Sequence, residues 1–279
     1  MAGTLYLCAT PIGNLGDITV RVIEILKSVD IIAAEDTRNT LKLLNHFEIK
    51  TPMTSYHQHN MDTKGPVLIE KLKDGKNIAL VTDAGMPGIS DPGEDMAKRC
   101  RQEGIPVTIA PGASAGISAL VLSGMDARRY IFEGFLPTDK KERQTVLKNL
   151  EKETRTTVFY EAPHRLTDTL GVLLKAAGDR EASTVREITK RYEEVKHGTL
   201  GSLLEYYKEN PPKGEFVVIV GGMSESVLRQ EEIDGWNSIS IEEHMKKYTD
   251  EGMSEKEAMK KVAKDRCVSK IEIYAYLNR

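Results

Sequence analysis

The chain has 279 residues, 40% of them apolar and 29% charged, with a formal net charge of −3. That length suits two domains with cores of their own, and so small a charge excludes a general polyanion binder, leaving nucleic acid to be held by local basic clusters. No uncharged run approaches a membrane span, the start lacks a signal-peptide pattern, and Cys8, Cys100 and Cys267 are too scattered for a disulfide framework or a zinc site, so a cytoplasmic protein with buried thiols and no metal is expected.

Thr4 to Ala9 reads as a first strand, followed by the loop TPIGNLGD and a helix opening near Ile18 with Asp17 as its cap. The loop lacks the Lys and Ser/Thr of a phosphate loop and the glycine spacing of a dinucleotide site, which argues against a pyrophosphate or triphosphate ligand. Ile31 to Ala34 gives a second strand, with Glu35, Asp36 and Arg38 at its end and a helix to about Asn45. His57 and His59 follow a short strand; with no third ligand nearby they read as solvated loop residues rather than a metal site. The strand Ile78 to Thr82 breaks at Asp83 inside VTDAGMPGISDPG, the stretch from Val81 to Gly93. Three Gly, two Pro and two Asp in thirteen residues exceed the needs of a plain connection, and a loop at the carboxyl end of a strand in an open α/β sheet is where ligands sit. Asp91 is expected to cap a helix beginning at about Pro92, with Glu94 completing a capping box and Gly104 ending it. Val107 to Ala110 is a further strand, leading through PGASAG to a small-residue helix capped by Ser114 and ending the first lobe near Leu122.

A second lobe starts at Tyr130. YIFEGFLP and Thr157 to Tyr160 read as strands flanking a helix from Lys141 to Glu151, and Thr184 to Ile188 and Glu215 to Val220 as further strands. YEAPHR and REITKR place two more charged clusters at strand ends, and with those at Glu35 and Asp83 they predict a cleft shared by the lobes. Ser224 to Ser238 lacks periodicity and is expected to be a linker carrying Trp236. Beyond it, Ser240 with Glu243, Ser254 with Glu257 and Ser269 with Glu272 open three short helices. The last two resemble a helix-turn-helix unit with Ala258, Val262, Ala263, Val268, Ile271 and Tyr274 as its core. The expected division is therefore 1–122, 123–223, linker 224–238 and helical unit 239–279, in an α/β fold of two α/β lobes plus a small C-terminal helical unit.

In this order and spacing, ATPIGNLGD, AAEDTRNT, VTDAGMPGISDPG, PGASA, FYEAPHR, REITK and GEF resemble the tetrapyrrole (corrin/porphyrin) methylase superfamily. EDTR together with YEAPHR is similar to the bacterial branch that methylates a cytidine ribose 2′-hydroxyl in 16S ribosomal RNA, in the decoding region of the small subunit. The resemblance covers about Thr4 to Val220 and extends into the tail, with Met86 where the family usually has a small polar residue and Ala113 where Pro is common. It implies a homodimer, with S-adenosyl-L-methionine (SAM) held in the cleft by Pro11, Asp83, Ala84, Gly85, Ile89, Ser114, Ala115, Tyr160, Gly214 and Glu215. A sulfonium donor has no phosphate, in keeping with loops that carry no phosphate-binding Lys.

Methyl transfer demands in-line alignment more than covalent machinery, and positioning contributes up to about 7–11 kcal/mol in the best intramolecular cases. A ribose hydroxyl still needs a base, or a cation for its alkoxide, and Glu187, Lys190, Arg186 and Asp83 are all of suitable type. Groups expected to meet phosphates are Arg38, Lys140, Lys141, Arg143, His164 and Arg165 near the cleft. In the tail they are Lys256, Lys260, Lys261, Lys264 and Lys270, where six Lys/Arg face three acids between Glu255 and Lys270. The expected partner is 16S ribosomal RNA or the small subunit. Two rivals remain: a tetrapyrrole C-methyltransferase, which needs neither EDTR nor the tail, and a non-catalytic RNA-binding protein that keeps a SAM pocket.

Overall fold

Short apolar runs alternate with amphipathic stretches, and in the computed structural model, which describes residues 1–278, they become strands and helices in turn. The first part runs β1 (Leu5–Cys8), α1 (Val20–Ser28), β2 (Ile31–Ala34), α2 (Thr37–His46), β3 (Met53–Ser55), α3 (Met61–Lys73), β4 (Ile78–Val81), α4 (Gly93–Gln102), β5 (Val107–Ala110) and α5 (Ala115–Ser123). Its strands are parallel in the order β3-β2-β4-β1-β5. Parallel strands need crossovers, and the helices supply them on both faces. Val22, Leu26 and Leu44 of α1 and α2 bury one side, and Leu68, Leu72, Met96 and Cys100 of α3 and α4 the other.

The chain continues through β6 (Tyr130–Phe135), α6 (Lys140–Glu151), β7 (Thr156–Glu161), α7 (Leu166–Ala177), β8 (Glu181–Arg186), β9 (Glu194–Thr199), α8 (Leu200–Glu209) and β10 (Phe216–Val220). This sheet is mixed, in the order β6-β7-β10-β8-β9, with β6 and β7 parallel and the remaining pairs antiparallel. Leu166, Leu170, Leu173, Leu200 and Leu203 of α7 and α8 cover one face. The other is covered by α5, whose Ala119 and Leu120 pack with Val158, Val185, Val217 and Ile219. A helix expected to close the first lobe is thus the layer that joins the two sheets.

Several local expectations are corrected. Asp17 lies in a 3-10 turn, and Thr19 caps α1 by accepting from the Val22 N–H. Asp91 does not cap α4; Pro92 holds that position, and the Asp91 carboxylate turns back onto its own loop. Ser114 stands at the N-cap of α5 without a capping side-chain bond. The supposed linker is helix α9 (Glu225–Asn237), capped by Ser224, with Trp236 stacked on His244 at 3.9 Å between ring centroids. Its periodicity is weak because the cap and the packing of its far end, rather than an apolar stripe, secure it.

The tail forms α10 (Ile241–Asp250), α11 (Glu255–Asp265) and α12 (Lys270–Leu277). Reciprocal capping boxes form at Ser240/Glu243 and Ser254/Glu257; Ser269 accepts from the Glu272 N–H, and its hydroxyl donates to the Glu272 carboxylate. Ala258, Val262 and Ala263 are buried as expected, but Ile273, Met245 and Tyr248 complete the core. Val268, Ile271 and Tyr274 are exposed, Ile271 at 79%. In a helix apolar on every side the sequence does not say which face turns inward. Cys267, expected to be buried, is also exposed; it follows α11 in a positive-φ turn and its Sγ accepts from Arg229 at 3.1 Å.

Candidate active site in the cleft between the sheets

Because β1 and β4 are neighbours, the loops at their carboxyl ends lie side by side, and Thr10 and Gly85 exchange both backbone hydrogen bonds, at 2.9 and 3.1 Å. Gly85 has φ +88°, and a Cβ there would stand 3.3 Å from Ile12 Cγ2. The Asp91 carboxylate accepts from the N–H groups of Gly88, Ile89 and Gly93 at 2.7 to 3.3 Å, which folds the loop back on itself. The opposite wall comes from the second sheet. Asn14 donates its N–H to Thr189 Oγ1 at 3.0 Å and Gly116 its N–H to Tyr160 Oη at 3.1 Å, fixing the width of the cleft at two points.

A cavity of about 460 Å³ opens there. Asp83, Ala84, Gly85, Ile89, Ser114, Ala115, Tyr160 and Glu215 line it. Pro11 lines instead an adjoining cavity of about 310 Å³, and Gly214 lines neither, lying against Glu187 with φ +85°. Sequence reasoning missed Phe135, Val185, Ile188 and Val217, which with Met86 give the larger cavity apolar walls. No local signal sets Val185 of β8 or Val217 of β10 apart from core residues; they line the cavity because of where these strands lie against α5. The volume falls in the usual ligand range, and the apolar walls suit a purine. Among the described residues no Lys or Arg lines this cavity, whereas Glu35, Asp83, Asp91, Glu161 and Glu215 do. Such a lining fits a cationic donor without phosphate.

The charged groups divide into fixed and free. Glu187 sits at φ +49°, and its Oε1 accepts from Lys190 Nζ at 3.0 Å and from the Glu215 N–H at 2.9 Å. Burial acts to raise its carboxyl, but those bonds and the charges of Lys190 and Arg186 outweigh it and hold the group below its ordinary range. Lys190 is clamped between Glu187 and Glu215, which carry its ammonium above its ordinary pKa against the effect of burial. Arg186 stands 3.8 Å from Glu194, its Nε is buried without a partner, and it lines neither cavity. Glu35 accepts from the Thr82 hydroxyl at 2.6 Å. Among the described residues Asp83 takes only neutral donors, the Asp36 N–H at 3.1 Å and Asn39 Nδ2 at 3.3 Å. Burial, with the nearby charges of Glu35 and Asp36, pushes its carboxyl above the ordinary range.

Of the residues expected to meet RNA, Arg38 is 87% exposed and pairs with Asp36 at 2.7 Å. Lys140 and Lys141 stand exposed on the first turn of α6 with Arg143 half-buried behind them, and His164 is exposed. Arg165 is committed elsewhere: it lies 3.4 Å from the buried Glu161 and donates to the Leu136 carbonyl at 2.7 Å. Lys256, Lys260, Lys261, Lys264 and Lys270 are all exposed on the tail. His57 and His59 lie outside both cavities, and among the described residues no group of three potential metal ligands forms.

Comparison with known proteins agrees with this architecture. Residues 4–204 match the family described as Tetrapyrrole (Corrin/Porphyrin) Methylases. Proteins named Ribosomal RNA small subunit methyltransferase I are 47% identical in Bacillus subtilis (strain 168) and 50% identical in Halalkalibacterium halodurans, each over 98% of this chain and 93% of the relative. Among solved structures, uroporphyrin-III-C-methyltransferase from Thermus thermophilus superposes with a TM-score of 0.57 at 19% identity, covering 78% of this chain and 94% of that one. Diphthine synthase gives 0.63 at 16% identity, covering 79% and 90%. At such identities the likeness is one of fold. The chain belongs to the tetrapyrrole (corrin/porphyrin) methylase family and is a methyltransferase, of a kind that takes its methyl group from S-adenosyl-L-methionine.

Proposed function

We propose that the chain transfers the methyl group of SAM to the 2′-hydroxyl of a cytidine ribose in 16S ribosomal RNA. Small-subunit ribosomal RNA as the substrate is supported by 47–50% identity over 98% of this chain to proteins named Ribosomal RNA small subunit methyltransferase I, and the cytidine ribose hydroxyl rests on the resemblance carried by EDTR and YEAPHR. SAM, when bound, supplies a methyl group on a positively charged sulfur. Gly85, Ser114 and Ala115 would hold it through backbone groups, while Ile89, Tyr160, Val185, Ile188 and Val217 enclose it and exclude water. The second cavity carries polar and basic groups from Thr10, Asn39, Lys42 and Lys190, suited to a sugar and its phosphates. The test is to incubate the protein with methyl-labelled SAM and naked RNA, small subunits or tetrapyrrole precursors, then map the label after nuclease digestion. Label on a ribose oxygen is expected. Label on a base or on a tetrapyrrole carbon, or binding of SAM without transfer, would refute the reading.

In the same reading the 239–279 unit grips RNA phosphates through Lys256, Lys260, Lys261, Lys264 and Lys270, with Arg38, Lys140, Lys141, Arg143 and His164 nearer the cleft. Reversing a tail lysine to Glu is expected to lower the slope of log affinity against log salt by about one unit for each phosphate that is no longer neutralised. An unchanged slope would remove the tail from the interface.

The working form is a homodimer. The edge strand β5 exposes Val107 and Ile109, and α5, which follows it in the chain, exposes Ile117 and Val121, the latter at 69%. An exposed parallel edge and apolar side chains exposed on a helix are both features that folded chains tend to cover. Sedimentation at micromolar concentration should give twice the chain mass, and Val121→Asp should shift it toward the monomer; a monomeric wild type would exclude the dimer.

A further inference from the structure

Five residues, Ile12, Thr82, Asp83, Ala84 and Glu215, line both cavities and form the wall between them. An atom passing from a donor in the larger cavity to an acceptor in the smaller one must cross beside that wall. It carries two carboxylates. Glu215 is paired with Lys190 at 2.9 Å, whereas Asp83 has no cation partner among the described residues. Its two hydrogen bonds come from a backbone N–H and a side-chain amide, which orient the carboxylate without quenching its basicity as a guanidinium would. The remaining candidates are less suited to taking a proton: Glu187 is pinned by Lys190 outside both cavities, and Lys190 and Arg186 are cations.

We propose that Asp83 is the proton acceptor of the reaction, that the smaller cavity receives the nucleotide bearing the acceptor hydroxyl, and that Asn39 is a positioning residue for the Asp83 carboxylate. This rests on the ribose methyltransferase reading. The hydroxyl oxygen forms a bond to the methyl carbon as the carbon–sulfur bond breaks and its electron pair stays on the uncharged thioether. The O–H proton passes to an Asp83 carboxylate oxygen and from there to solvent. Burial and the charges of Glu35 and Asp36 act to strengthen Asp83 as a base, while Asn39 draws it down. Arg38 and Lys42 from α2 and Lys190 from the loop between β8 and β9 supply positive charge around the same space, with Glu215 beside Lys190.

The test uses the full chain with Asp83→Asn and Asn39→Ala, labelled SAM and small ribosomal subunits. Asp83→Asn is expected to lower the single-turnover rate at saturating SAM by roughly 10²–10⁴-fold, far more than the loss of SAM affinity by calorimetry that follows from removing one carboxylate of the donor cavity, while subunit affinity stays within threefold of wild type. Asn39→Ala removes a bond that favours the ionised carboxylate, so the acid limb of its rate profile should move to higher pH with SAM affinity unchanged. A wild-type rate in Asp83→Asn, or a matching loss of SAM affinity, would overturn the assignment, as would an acid limb unmoved in Asn39→Ala. Failure of the underlying reading shows separately, in the wild-type product: label off the ribose refutes that reading whatever the variants do.

Discussion

Gly85→Val should weaken SAM binding by about 100-fold in the otherwise folded protein. Gly85 holds φ +88° between two reciprocal bonds to Thr10, and a Cβ there would stand 3.3 Å from Ile12 Cγ2 and 3.5 Å from the Ala113 carbonyl. A left-handed backbone costs an L-residue about 1–2 kcal/mol, more when it is β-branched, and the crowding adds about 1–3 kcal/mol. The loop can shed that strain only by leaving Thr10, which opens the floor of the donor cavity. A displacement of 3 kcal/mol or so corresponds to about a 100-fold loss of affinity, readable by calorimetry. Gly104→Ala is the matched control, because Gly104 also has positive φ, at +66°, but a Cβ there meets nothing within 4 Å. It should leave SAM affinity unchanged. Equal affinity in Gly85→Val and wild type would show that this loop is not part of the donor site.

The same loop shows why part of the site was legible in the sequence. A strand broken by Asp83 and followed by Gly85, Pro87, Gly88 and Pro92 has few conformations open to it, so its place at a strand end follows from local chemistry. The apolar walls were not legible in that way. Val185, Ile188 and Val217 differ in nothing local from core residues, and they become a ligand surface because α5 leaves the first sheet to cover the second. Likewise Asp91 satisfied every local rule for a helix cap, yet tertiary demand turned its carboxylate onto Gly88 and Ile89. Glu187 and Arg186 were of suitable chemistry, but only packing reveals that Lys190 neutralises the one and that the other lines neither cavity. In the tail the capping pairs fixed the helix starts, while the inward face of α12 depended on which residue met Met245 and Tyr248.

Glu161→Ala should produce the largest loss of stability of any single change at the cleft. The Glu161 side chain is fully buried, and its carboxylate accepts from the Thr169 hydroxyl at 2.6 Å and the Ala162 N–H at 2.9 Å, with Arg165 at 3.4 Å. These bonds tie the end of β7 to the first turn of α7 and set the path of Ala162 and Pro163, both of which line the donor cavity. Removing one partner of a buried ion pair costs about 3–5 kcal/mol. Arg165 keeps 27% of its side chain exposed and can recover some hydration, which brings the expected loss to roughly 2–4 kcal/mol. Glu161→Gln retains an acceptor for Thr169 and should lose about half as much, whereas Thr169→Val, which leaves the charge pair intact, should cost about 1–2 kcal/mol. Because the groups share one network, the double variant should lose less than the sum of the single ones. Chemical denaturation of the four variants measures this directly. Strict additivity, or a loss below about 1 kcal/mol in Glu161→Ala, would mean that the strand end is held by the α7 core alone, and SAM affinity in the alanine variant would then stay at the wild-type value.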